Sequence, residues 1–139
     1  MDIKDCLEKG LLKKDLPSRE KAKKSLEVAK IKLEKARRLF ELDILDMANI
    51  NLYSTMFHAS RALMFKDGFK ERSHYAIYIY LKEKYSDKIP LKYLNEINNL
   101  RLERHEIFYG FDEPELKKEN IRTLISLSKD FIDIVKGLI

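Results

Sequence analysis

Apolar residues recur at Ala22, Leu26, Ala29, Leu33, Ala36 and Phe40, every third or fourth position of an otherwise charged segment. That spacing draws one stripe along a helix, so the segment packs by a single face. Ser18 follows the Leu16-Pro17 break and stands where it caps this helix. Upstream, Ile3 to Leu12 reads as a short helix or arm broken near Gly10. Ile44 to Phe65, stopped by Asp67-Gly68, is apolar on most sides, which predicts a helix central to the core or facing a partner. Ser73 to Tyr85 contains the run Tyr75-Ala-Ile-Tyr-Ile-Tyr-Leu81, rich enough in β-branched and aromatic residues to be a strand. A lone strand would have nothing to pair with, so helix is the expectation. Pro90 opens a fourth long helix ending near Gly110, with Tyr93, Ile97, Leu100, Arg104 and Ile107 in phase, and a last helix is expected from about Pro114 to Leu138.

Composition narrows the class. The 139 residues suffice for one domain and a real core, since 45% are hydrophobic. Four Gly and three Pro are too few for a many-stranded β fold. We therefore expect an all-α protein, an antiparallel up-and-down bundle of four to five helices, with residues 1–17 as a short arm and 18–139 as a single domain. Tyr75–Leu81 is the longest apolar run, far short of the roughly 20 residues a membrane span needs, and the N-terminus has no apolar signal core. Cys6 is the single cysteine, which excludes an internal disulfide and a cysteine metal cluster. A soluble, cytoplasmic protein with no membrane association fits.

The net charge of +5 is regional. Residues 1–41 carry 13 Lys or Arg against 8 Asp or Glu, and the remainder of the chain is balanced. Nine basic and three acidic residues lie between Arg19 and Arg38, a stripe that could meet phosphates or simply face water. Glu34, three and four residues before Arg37 and Arg38, favours a solvated face.

Two polar interruptions carry the candidate chemistry. In the central helix Asn51, Ser54, His58 and Arg61 share one face, with Thr55 beside them. A charged group there must meet water, a partner subunit or another polar element, so the stripe is either a satisfied structural network or part of a binding or dimer cleft. The second interruption is Arg101-Leu-Glu-Arg104-His105-Glu-Ile-Phe-Tyr109-Gly110. Arg104 sits where the helix phase calls for an apolar side chain, and a buried guanidinium needs acceptors or anions. An arginine can stabilise a phosphorane-like charge while a histidine moves a proton, the two needs of metal-independent RNA cleavage through the 2′-hydroxyl. As a bare pattern, Arg-x-x-Arg-His is also compatible with a structural role. The sequence holds no Gly-rich phosphate loop, His-Glu-x-x-His pair or serine elbow, and three histidines at 58, 74 and 105 without cysteines make a poor metal site. No metal or cofactor is expected.

The run Asn49-x-Asn51-Leu-Tyr53-Ser-Thr-Met-Phe57-His58-Ala59-Ser-Arg61-Ala62-Leu63, followed by Gly68, His74, and Arg104 leading into Tyr109-Gly110, resembles the HEPN (higher eukaryotes and prokaryotes nucleotide-binding) domain family over roughly Ala22 to Leu138. The resemblance is closest to small stand-alone prokaryotic members. It implies an antiparallel helical bundle, usually a homodimer, often encoded beside a minimal nucleotidyltransferase. Many members are metal-independent ribonucleases with Arg-x(4 to 6)-His at the dimer cleft. The arginine carries over onto Arg104, and Tyr109 stands where the histidine would fall, while His105 follows Arg104 directly.

Three readings follow. The first is a dimeric module that binds nucleotide or RNA in a cleft of Arg104, Tyr109, Arg101 and the Asn51, Ser54, His58, Arg61 stripe, acting with a nucleotidyltransferase in a toxin and antitoxin-like pair. The second is an endoribonuclease toxin in which Arg104 acts with His105 or Tyr109; alternatively, the Tyr109 hydroxyl is one that the transferase modifies. The third is a structural helical dimer without ligand.

Overall fold

A computed structural model of the chain describes residues 1–112 and 115–139. Ser18 caps the first long helix as its position demands, its Oγ accepting from the Lys21 amide at 3.1 Å. This helix, α2 (Arg19–Glu41), buries its alanine and leucine stripe and leaves its charges outside. The all-round apolar segment becomes α3 (Leu45–Asp67), with eleven residues buried, and it meets every other long helix. The remaining long helices are α5 (Leu91–Tyr109) and α6 (Lys118–Leu138). The expected start of the last helix at Pro114 lies outside the described residues.

Side-chain bonds fix the direction of each helix. Ser25 Oγ donates to the His58 carbonyl and the Ser18 amide to the Phe65 carbonyl, so α2 runs against α3. Asn49, early in α3, donates to Glu103, late in α5, so these two also run in opposite senses. Lys66 Nζ donates to the Leu138 carbonyl, while Lys118 and Arg122 sit over the Phe40 ring, which sets α6 along α3 and against α2. The four form an up-and-down bundle, as expected, with Leu52, Met56, Leu63, Leu100, Ile121 and Phe131 fully buried between them.

The aromatic run 75–81 is helical, in α4 (His74–Lys84). Two short strands went unforeseen: β1 (Leu12–Lys14) and β2 (Phe69–Glu71) pair antiparallel, with Leu12 opposite Glu71 and Lys14 opposite Phe69. Gly68 ends α3 in the left-handed region at φ 88° and turns the chain into β2. The Arg61 and Glu71 contact shows that β2 runs back along α3, so α4 starts beside the middle of α3 and then follows its direction. The N-terminal arm is the six-residue α1 (Ile3–Glu8) followed by β1. It is firmly seated: Ile3, Cys6 and Leu12 are buried, and the Ile3 amide donates to Glu83 of α4 at 2.7 Å. Among the described residues no helix is long and apolar enough to cross a membrane, and no group of three His, Cys, Asp or Glu could hold a metal.

Candidate functional site

Residues 50, 53, 54, 57 and 58 fall on one face of α3 because they repeat every three or four positions. That face is the floor of a cavity of about 230 Å³, closed by His74 from the first turn of α4 and by Arg104 and Phe108 from the end of α5. Two of the expected stripe residues, Ser54 and His58, line it, and so does Arg104.

The walls are largely aromatic. The Phe57 and His74 rings lie 4.6 Å apart between centroids, and Tyr53 stacks on His74 at 5.8 Å. The Tyr53 hydroxyl is 2.7 Å from His74 Nδ1. Burial pushes the Tyr53 phenol up to about 12, against the lowering effect of Arg104 and Arg101, so it keeps its proton. Burial first, and then the Arg104 charge, lowers His74. A neutral phenol and a neutral imidazole thus share this hydrogen bond, either of them able to donate, and the tautomer of His74 decides which does. His58 is lowered to about 4 by burial and by the Arg61 and Lys32 charges. All the imidazoles of the cavity are therefore neutral near pH 7.

Arg104 is half-buried, not enclosed as its helix phase suggested, and it rests on rings in place of acceptors. Its guanidinium carbon lies 5.8 Å from the Tyr53 ring centre and 5.2 Å from that of Phe108. No carboxylate among the described residues stands within ion-pair distance of it. A planar cation, unneutralised and beside aromatic walls, suits an anionic ligand that carries a flat ring.

The other expected residues lie elsewhere. Asn51 turns its amide back onto the Met47 carbonyl at 2.9 Å. Arg61 is held 2.9 Å from Glu71 of β2 and lies over the Phe57 and Phe65 rings, so its charge is spent on structure behind the cavity wall. Arg101 sits over Tyr75 and donates twice to Asn98. His105 and Tyr109 are exposed on the last turns of α5, their rings 5.1 Å apart, and neither lines the cavity. Conversely, Ile50, Tyr53, Phe57, His74 and Phe108 line it without having been singled out as site residues. The signal for the α3 members was present in the spacing of 50, 53, 54, 57 and 58, but a packed core gives the same spacing. Nothing local foretold His74, which β2 delivers from fifteen or more positions away in the sequence.

No curated protein matches the chain. The HEPN domain family model matches residues 22–138, all of the four-helix bundle but the first three residues of α2, and the whole lining of the cavity. With the match covering most of its length, and with a helical bundle over the residues matched, the chain belongs to the HEPN domain family.

Proposed function

We propose that this chain is a dimeric HEPN module that binds a nucleotide or single-stranded RNA in the cavity beneath Arg104 and acts with a minimal nucleotidyltransferase as one half of a toxin and antitoxin-like pair. The carrying observation is Arg104 itself, a guanidinium without a carboxylate partner among the described residues, poised over Tyr53 and Phe108 at the mouth of an aromatic cavity. A nucleobase would stack against Phe57, Phe108 or His74, an interaction worth about 1–3 kcal/mol per base, and its phosphate would take Arg104. Support for a dimer comes from the end of α5, where Leu102, Phe108, Tyr109 and Phe111 all expose apolar surface. Covering that patch with a second copy would also deepen the shallow cavity. Sedimentation equilibrium together with titration of fluorescent RNA oligonucleotides and nucleotides tests the reading. A dimer that binds at least one of them supports it, and a monomer that binds none contradicts it.

A metal-independent endoribonuclease is the second reading, with Arg104 stabilising the transition state and His105 or Tyr109 handling the proton. What favours it is the sharing of one cavity by Arg104 and the imidazoles of His58 and His74, which would keep proton-transfer groups at hand even with His105 outside. A Tyr109 exposed in the single copy would instead be the hydroxyl that the transferase modifies, before a second copy covers the end of α5. Cleavage of total RNA in EDTA tests the first of these, and the intact mass after co-expression with the transferase tests the second.

A further inference from the structure

A second cavity, of about 370 Å³, opens at the other end of α3 and α4 from the aromatic one. Its walls come from the last turn of α3, from β2, from the end of α4 and from the turn after it, and three ammonium groups line it: Lys66, Lys84 and Lys88. On α3, Lys66 is thirteen residues from Tyr53, about 20 Å along the helix, so the two cavities are separate.

The carboxylate in the lining, Asp67, keeps its charge, but both of its oxygens have partners and Lys66 balances it. Asp67 Oδ2 accepts from the Tyr80 hydroxyl and from the Tyr85 hydroxyl, both at 2.6 Å, and both phenols are pushed well above their ordinary range by burial and by this bond, so they hold their protons. Four of the backbone carbonyls at this end of the fold are engaged: Met64 by Gly68, Leu81 by Tyr85, Tyr85 by Lys88 and Ile89, and Leu138 by Lys66. Lys66 is thus tied to the Leu138 carbonyl and near Asp67 at 3.7 Å. Lys84 and Lys88 have no carboxylate within ion-pair distance among the described residues. Lys84 ends α4, Lys88 lies in the turn after it, and both line one hollow.

We infer that this hollow is a binding site for a phosphate group, held by Lys84 and Lys88, while Lys66 offsets the Asp67 carboxylate on the floor. Unneutralised ammonium groups converging on a concave surface concentrate anions there, and a dianion gains more from two cations than a monovalent ion does. The site is independent of the nucleotide reading of the aromatic cavity: it shares no residue with that cavity and none with the α5 end.

The probe is inorganic phosphate at constant ionic strength, with chloride as the balancing anion, read by amide chemical shifts of the full chain. Saturable shifts confined to residues 66–69 and 80–89 are expected. Replacing both exposed lysines, Lys84→Ala with Lys88→Ala, weakens them at least about tenfold, because each charge removed takes a charge-assisted contact with it. Lys84→Arg with Lys88→Arg keeps them, and Arg104→Ala leaves them unchanged. Shifts that stay linear with phosphate, or that survive the double alanine substitution in a chain whose remaining spectrum is native, overturn the inference.

Discussion

The hydroxyl of Tyr53 on α3 and Nδ1 of His74 on α4 share a hydrogen bond of 2.7 Å, and this one bond ties the floor of the aromatic cavity to its wall. It fixes the orientation of an imidazole that burial and the Arg104 charge keep neutral. Tyr53→Phe removes the bond and keeps the ring. The expected result is a loss of about 1 kcal/mol in urea unfolding, with the His74 pKa rising where Tyr53 is the donor and falling where Nδ1–H donates to it. A ¹³C or ¹⁵N titration of the imidazole reads the direction, and an unmoved His74 would show that burial and the neighbouring charges set its value without the bond.

His58 yields a pH prediction. Its folded-state value of about 4 lies below the ordinary 6.5, so between those two pH values the unfolded chain binds a proton that the folded one refuses. Stability is therefore full above about pH 6.5 and falls as the pH drops toward 4. His74 is shifted in the same direction and adds to the effect. Urea midpoints measured from pH 7 to pH 4 for wild type and His58→Gln test it: the wild type should lose more stability than the variant over that interval.

Gly68 and Gly10 form a matched comparison. Both have positive φ, 88° and 72°, and an alanine at either is strained by about 1–2 kcal/mol. At Gly68 the new Cβ would also stand 2.8 Å from the Asp15 carbonyl oxygen and 3.0 Å from the Pro17 ring, whereas at Gly10 nothing lies within 4 Å. Gly68→Ala should accordingly cost more than Gly10→Ala, by about 1 kcal/mol or more, because the close backbone atoms must move. Equal losses for the two would mean the ribbon yields freely.

The core offers a fourth stability test. Leu52 is fully buried at the centre of α3, and Leu52→Ala should cost about 2–5 kcal/mol, whereas Ile31→Ala on the exposed side of α2, with half its surface in water, should stay within about 0.5 kcal/mol. Thermal or urea unfolding of the two variants separates a helix that is central from one that is packed by a single stripe.

What was legible in the sequence followed from periodicity and end signals. The alanine and leucine stripe of α2, the all-round apolar α3, the Ser18 cap and the Gly68 stop each stand where spacing put them. The ribbon escaped because three-residue strands are too short to show alternation, and Lys13, Lys14 and Lys70 look like any solvated loop. Candidate site residues were only partly legible for a related reason. Helix phase says which residues share a face, and it placed Ser54 and His58 together, but it does not say what the face meets. Arg61, on the same stripe, met Glu71 of the unforeseen ribbon. His105 is one residue, or about 100°, round α5 from Arg104, enough to send its ring outward to Tyr109 and away from the cavity. Tyr53 and His74, twenty-one residues apart, meet only once β2 has folded back along α3.

The most direct test of the proposed function is the affinity of purified protein for a fluorescent single-stranded RNA and for a labelled nucleotide, by anisotropy in EDTA, for wild type beside Arg104→Ala and His105→Ala at matched folding. Arg104 faces the cavity and His105 does not, so the account predicts a loss of at least about tenfold for Arg104→Ala and little change for His105→Ala. Binding that survives the loss of Arg104, or that depends on His105 and not on Arg104, would contradict it.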